Sequence, residues 1–235
     1  MDVLLIHSPY GPASTWIGVA DSLRRDGHAV CTPSFSELTE GPGAYWPRHL
    51  DAVAKTMAGR EVVLVGHSGA GPLLPAMGTA HGRVRGYVFV DATLPVDGYR
   101  RADSVTAEER QSRRWREAAA RGEAPNPWRD VRMWRRVGVT DRALVERLAA
   151  ETPRIPLTMH EEPISVPDAW PDAPVSYLAF RPNPFYAATL KEARARGWTV
   201  EEMAGGHFHM LVDPAAVARE VAGFVARMSP MEAAR

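Results

Sequence analysis

The sequence predicts an α/β domain built on a mainly parallel sheet with helices on both faces, carrying a helical insertion. Three observations predict it. Apolar, β-branched runs alternate with stretches of helical spacing from the N-terminus to Ala92, as a parallel sheet with helical crossovers requires. One run, Glu61-Val62-Val63-Leu64-Val65, leads into Gly66-His67-Ser68-Gly69-Ala70-Gly71, which reads as strand, sharp turn and helix with a serine at the apex. Residues 97–151 then break the alternation, which resumes at Val175.

The elements follow in order. Val3–Ile6 is a short apolar strand, and His7-Ser8-Pro9-Tyr10-Gly11-Pro12 is a loop. Trp16, Val19, Ala20 and Leu23 have helical spacing over 13–26, which stops at Gly27. His28–Thr32 is a second strand. The Gly/Pro cluster 41–43 opens a helix from Ala44 to Met57. The serine-bearing strand and its helix come next, then the buried-type strand Val84–Val90, ending in Asp91-Ala92. Residues 97–151 contain helical runs near 106–120, 128–137 and 141–150, rich in Arg and Trp, and no convincing strand. Prolines cluster from 153 to 174. Then come the strand Val175–Phe180, a helix over 186–196, a strand over 198–203 and a final helix over 214–228.

Composition narrows the function. The 235 residues, 45% hydrophobic, suffice for one large domain or a domain with an insertion. Net charge is zero, so no bulk field favours nucleic acid or an anionic membrane. Cys31 is the single cysteine, which excludes an intrachain disulfide and a thiolate metal cluster. No run approaches about 18 apolar residues, and the N-terminus has no signal-peptide pattern. A cytoplasmic protein is expected, with no membrane and no nucleic acid among its partners. No glycine-rich phosphate loop follows the first strand, and His207 and His209 have no obvious third ligand. Neither a cofactor nor a metal is expected.

The turn at Ser68 holds a hydroxyl clear of its own backbone. Strand and helix nearly touch there, so small residues are needed on either side. Gly66 fits, Ala70 stands where glycine is usual, and Gly71 follows. A serine hydroxyl is a poor nucleophile without a base beside it, and a histidine suits that task near neutral pH. Of the eight histidines, His28, His49, His81 and His160 lie on surface-type segments, and His67 packs behind the strand.

Over essentially its whole length the chain resembles the α/β-hydrolase superfamily. Three segments carry the resemblance: Leu5-Ile6-His7-Ser8-Pro9-Tyr10-Gly11 with Trp16 beyond, Gly66-His67-Ser68-Gly69-Ala70-Gly71, and Gly205-Gly206-His207-Phe208-His209-Met210-Leu211 followed by Asp213-Pro214. Serine first and histidine last is the chain order of that fold. The resemblance implies an α/β-hydrolase fold of about six strands, the usual first hairpin being absent. The core would span 1–96 and 166–235, with a helical lid over 97–165.

It also implies site roles. Ser68 would be the nucleophile and His207 the base, with His209 as runner-up. Many relatives carry an Asp just after the strand corresponding to 175–180, where this chain has Asn183. Some members, including haloalkane dehalogenases, place the acid after the strand that follows the nucleophile, where this chain has Asp91. Asp91 is therefore the expected triad acid, Asn183 the alternative that would orient the base. Gly69 supplies one oxyanion amide. The second falls near Pro9, which has no N–H, so either Tyr10 supplies it through a shifted loop or the hole has one donor fewer. His7, Pro9, Trp134 and His209 are expected near the substrate. Trp115, Trp128, Met133 and Trp134 are expected mostly to pack the lid's own small core, and Arg113-Arg114-Trp115-Arg116 to form a solvated face.

The expected function is a serine hydrolase of an ester, thioester or related acyl compound, with a small-molecule substrate, free or carrier-bound. The competing readings are a tailoring enzyme (thioesterase, cyclase or lyase) using Ser68 and His207 as acid and base, and a non-catalytic binding protein on the same fold.

Overall fold

The computed structural model describes residues 1–41 and 43–228; Pro42, in the Gly/Pro cluster before the second helix, lies outside them. In chain order the strands are β1 (Asp2–Ile6), β2 (Ala29–Cys31), β3 (Val62–His67), β4 (Val84–Val90), β5 (Glu123–Ala124), β6 (Ile155–Pro156), β7 (Val175–Arg181) and β8 (Thr199–Ala204). Six of them form one sheet in the order β2-β1-β3-β4-β7-β8, every pair parallel. Strand order reverses direction after β2, between β1 and β3, where a doubly wound sheet opens its ligand crevice at the carboxyl ends.

Alternate residues of the strands feed two cores, as the pleat dictates. Val3, Leu5, Val63, Val65, Val88, Val90, Leu178 and Phe180 face α1 (Ile17–Arg25) and the C-terminal helix Pro214–Met228. Leu4, Ile6, Leu64, Tyr87, Phe89, Tyr177 and Ala179 face the side that packs α2 (Tyr45–Lys55) and α3 (Leu74–His81). Strands buried on both sides need the near-continuous apolar runs seen in the sequence. The helix over 13–26 begins as a 3₁₀ turn, Ala13–Trp16, and ends before Gly27, whose φ of +86° suits glycine. No helix of the described residues is long and apolar enough to cross a membrane.

Between β4 and β7 the chain makes a helical excursion: α4 (Ala107–Gln111), α5 (Arg113–Ala119), α6 (Val131–Arg136), α7 (Arg142–Glu151) and α8 (Leu157–Glu161). It differs from expectation in two ways. It holds two short strands, β5 and β6, paired antiparallel. Two residues each are too few to leave a period-2 signal. It also builds no separate core. Trp134, Val139, Val145 and Leu148 join the buried cluster under α1, and Ala124, Ile155, Met159 and Ile164 join the other. Polar ties add to this: the Glu162 carboxylate accepts from the backbone N–H groups of Tyr45 and Trp46 at 2.9 and 3.1 Å, capping the start of α2. The Arg113–Arg116 stretch is exposed except for half-buried Trp115.

The remaining helices are α9 (Ala187–Ala195), α10 (His209–Val212) and α11 (Pro214–Met228).

Candidate active site

Ser68 is the first residue after β3, and its φ is +57°. A non-glycine residue in that region is strained, and surrounding contacts must hold it there. The glycines on either side let strand and helix close around it. A Cβ on Gly66 would meet the Leu74 side chain at 2.8 Å, and one on Gly71 would meet the Thr93 carbonyl oxygen at 2.0 Å. Ala70, fully buried, keeps its methyl without conflict. The closest approach therefore falls at Gly71 rather than at position 70, which explains how alanine stands in the usual glycine position. Asp91 is the first residue after β4 and is strained likewise, with φ of +42°. The Tyr177 hydroxyl clamps the next residue, donating to the Ala92 carbonyl at 3.0 Å and accepting from its N–H at 3.1 Å.

These turns and the loop after β8 bring Ser68, His207 and Asp91 together. Asp91 is fully buried. His207 Nδ1 donates to its Oδ2 at 2.7 Å, and Ser68 Oγ donates to His207 Nε2 at 3.0 Å. This proton placement follows from the network, because an ionised carboxylate can only accept. Asn183 lies beside the acid and does not meet the base: its Nδ2 donates to Asp91 Oδ2 at 2.6 Å. The Phe180 N–H reaches Asp91 Oδ1 at 3.4 Å. His209 stands away from Ser68, its ring against Phe180 and over Gly205.

Two further histidines brace the site from behind. His67 Nε2 donates to the His207 carbonyl oxygen at 2.8 Å, and its ring lies 4.5 Å from that of His207. Burial, with the neighbouring His207, holds the His67 pKa well below its usual value, so the ring is neutral. His7 Nε2 accepts from the Phe35 N–H at 3.1 Å, which puts the proton on Nδ1, and Nδ1 donates to the Ser8 carbonyl at 2.8 Å. Burial lowers the His7 pKa to about 4. The Tyr10 N–H is turned onto Ser8 Oγ at 3.3 Å.

A cavity of about 160 Å³ opens over Ser68, with Ser8, Tyr10, Gly69, Thr93, Trp128 and Tyr186 among its walls. Four residues expected there are absent from its lining. His7 and Pro9 are buried members of the loop after β1, and Trp134 is buried against Trp128 and Phe208. His209 is held against Phe180. Trp134 nonetheless supports the wall, since its Nε1 donates to the Trp128 carbonyl. The surface-type assignment of three histidines also fails: His49, His81 and His160 are 0%, 8% and 5% exposed. His49 is packed between Phe35 and Trp46, and His160 against Tyr10 and Trp115.

Two wall residues escaped the sequence reading. The Tyr186 hydroxyl lies 3.4 Å from Ser68 Oγ, and its ring stacks on His207 at 5.3 Å. Burial raises its pKa, so it keeps its proton. Asn126 Nδ2 donates to the Tyr10 and Pro153 carbonyls at 2.9 and 3.0 Å, tying the excursion to the loop after β1. Tyr186 was findable, because it follows a strand's carboxyl end. Asn126 left no signal, being an isolated polar residue in a helical insertion.

A parallel sheet carrying a strained serine turn after β3, a buried acid after β4 and a histidine after β8 is the architecture of α/β hydrolases. The model of the alpha/beta hydrolase family matches residues 3–220, and the chain belongs to that family. Among solved structures it is similar to an extracellular alpha/beta-hydrolase from a Paenibacillus species, described as sharing structural and functional homology with tobacco salicylic acid binding protein 2. Identity is 21%, the TM-score is 0.74, and 95% of this chain and 98% of that one are covered. It is similar to tomato methylketone synthase I in complex with beta-ketoheptanoate, at 15% identity and TM-score 0.70, covering 97% and 98%. It is similar to a pyrethroid hydrolase from Sphingobium faniae JZ-2, at 18% identity and TM-score 0.69, covering 99% of both. No curated protein matches the sequence.

Proposed function

We propose that the protein is a serine-dependent hydrolase of an ester, thioester or related acyl compound, working through an acyl-enzyme. One observation carries this reading: a continuous hydrogen-bonded chain runs from the buried Asp91 carboxylate through His207 to the Ser68 hydroxyl at a cavity wall. Ser68 Oγ attacks the acyl carbon while its proton passes to His207 Nε2. Asp91 fixes the tautomer that leaves Nε2 free and stabilises the imidazolium. The leaving alcohol or thiol departs with the proton from Nε2. Water then adds to the acyl carbon as its proton passes to Nε2, the bond from the acyl carbon to Ser68 Oγ breaks, and Nε2 returns the proton to Oγ as the carboxylic acid leaves.

The oxyanion needs preorganised donors. Gly69 N–H lies in the first turn after the serine, where helical N–H groups lack intrahelical partners. Pro9 offers none. The Tyr10 N–H points at Ser8 Oγ, and a hydroxyl that accepts there keeps its own proton to donate. The Tyr10 amide thus acts through Ser8, and the two together replace the missing backbone donor. Residues 97–165 serve as the lid, because Tyr99, Asn126, Trp128 and His160 all come from it to the cavity wall.

The tailoring-enzyme reading, with Ser68 and His207 as acid and base, rests on Pro9. Loss of an oxyanion donor costs about two to three orders of magnitude in acyl transfer. Turnover of short p-nitrophenyl esters decides between them. Hydrolysis that disappears in Ser68→Ala supports the hydrolase. No hydrolysis by wild type transfers the weight to the tailoring enzyme.

A further inference from the structure

The cavity over Ser68 contains one unbalanced charge. Among its lining residues Arg101 is the sole Lys, Arg, Asp or Glu. Among the described residues its side chain meets the neutral Ser104 hydroxyl, to which Nη1 donates at 2.8 Å. Many other arginines of this chain are paired; Arg85, Arg132, Arg142, Arg147 and Arg154 each meet a carboxylate within 3 Å. Arg101 is half-buried, and among the described residues one side-chain hydrogen bond engages its five guanidinium donors. A cation drawn partly out of water and left without a counter-ion costs free energy unless a ligand supplies one.

Its surroundings suit an anion. Tyr10 and His160 share the cavity wall with Arg101, their rings 5.4 Å apart. The charge of Arg101 reaches both rings and Tyr186 as well. His160 is 5% exposed, and its Nδ1 is buried without a hydrogen-bond partner. Burial first, then Arg101 and Arg110, lower its pKa to about 4. It is therefore a neutral hydrogen-bonding group at pH 7 that does not compete with Arg101 for the anion. Burial pushes the pKa of the Tyr10 phenol up, so it keeps its proton and is a donor.

Position fixes which end of a substrate is recognised. Arg101, Pro125, Pro127, His160 and Phe185 line both the cavity and an adjoining outer hollow, while Ser68 lines the cavity alone of the two. Arg101 thus stands at the mouth. In the outer hollow Arg114 adds positive charge, and the carboxylate Glu109 is engaged in capping Thr106. The cavity is smaller than the ~300–1,000 Å³ usual for drug-sized ligands, so the enclosed part of a substrate is short.

We propose that the site takes a short acyl compound bearing a free carboxylate, the monoester or monothioester of a dicarboxylic acid, with its acyl carbon at Ser68 and its carboxylate on the Arg101 guanidinium beside Tyr10 and His160. Guanidinium and carboxylate match as a two-pronged pair. The proposal rests on the hydrolase reading and adds the charge of the substrate to it.

The test compares p-nitrophenyl hydrogen glutarate with the neutral p-nitrophenyl valerate, in wild type and Arg101→Gln. The expected wild-type kcat/KM favours the glutarate at least about tenfold, and Arg101→Gln brings the ratio of the two substrates close to one, through KM. Equal use of both by wild type, or a ratio untouched in Arg101→Gln, overturns the subsite. The hydrolase reading is judged separately, by whether Ser68→Ala ends valerate turnover. A binding arm needs no turnover: glutarate titrated against the intrinsic fluorescence of a protein with Trp46 and Trp128 in the cavity wall. Glutarate binding weakened at least about tenfold by Arg101→Gln supports the proposal. Inorganic phosphate binding more tightly than glutarate contradicts it and points to a phosphorylated carrier.

Discussion

Exchanging Asp91 for asparagine removes one charge and one acceptor at the centre of the site. Asp91 Oδ2 accepts two donors, His207 Nδ1 at 2.7 Å and Asn183 Nδ2 at 2.6 Å, while Oδ1 faces the Phe180 N–H at 3.4 Å. An amide has one oxygen to offer. With that oxygen toward His207, its NH₂ opposes the Phe180 N–H. Turned the other way, the NH₂ opposes both Asn183 and His207, and His207 must take the tautomer with its proton on Nε2. That tautomer cannot accept from Ser68. In either orientation the imidazolium loses its counter-ion in a site where Asp91 has no exposure to water. An exchange of this kind costs about four orders of magnitude in turnover, or about 5 kcal/mol of barrier at ~1.4 kcal/mol per decade. The assay is kcat on a p-nitrophenyl ester, with circular dichroism establishing that the variant is folded. Asn183→Ala serves as the partner variant. It removes one donor from a carboxylate that retains His207, and water reaches the half-buried position, so about a tenfold loss is expected. Asp91→Asn within tenfold of wild type, or Asn183→Ala costing more than Asp91→Asn, refutes the reasoning.

Three further outcomes follow from the same geometry. Gly71→Ala forces a Cβ to within 2.0 Å of the Thr93 carbonyl oxygen; a loss of about 3 kcal/mol and a Tm lowered by about 6–12 °C are expected, and an unchanged Tm contradicts the tight turn. Tyr186→Phe deletes the hydroxyl 3.4 Å from Ser68 Oγ; kcat should fall about three- to tenfold, and an unchanged kcat removes Tyr186 from the mechanism. His7, His49 and His160 have pKa values lowered by burial to about 4 from 6.5. The unfolded chain binds more protons than the folded one between those values, so their stabilisation is complete above pH 6.5 and is lost as pH falls toward 4. Urea midpoints should drop steeply over that window, less steeply in His49→Phe, and a flat profile contradicts the burial of these rings.

The sheet was legible because strands buried on both faces must be apolar runs; β1, β3, β4 and β7 stand out at once. The strained turn at Ser68 was legible from Gly66 and the small residues after the serine. Asp91 stood out by its place at a strand end. What escaped is tertiary. That His49 and His160 are buried depends on aromatic partners distant in sequence, Phe35 and Trp115. Trp134 does not pack within a core of the insertion alone; it meets Phe208, a contact between the helical excursion and the loop after β8. The Tyr10 amide looked free as an oxyanion donor until the loop placed Ser8 Oγ in front of it. Arg101 carries no local signature, since an unpaired arginine is recognised by what fails to surround it.

The central claim is that Ser68 is a nucleophile activated by His207. The direct measurement is labelling of the intact protein with a fluorophosphonate, followed by mass-spectrometric mapping of the adduct. One phosphonylated residue, Ser68, is expected, with labelling abolished in Ser68→Ala, slowed by several orders of magnitude in His207→Ala, and largely retained in His209→Ala. No adduct at Ser68, or labelling that proceeds at the wild-type rate in His207→Ala, contradicts it.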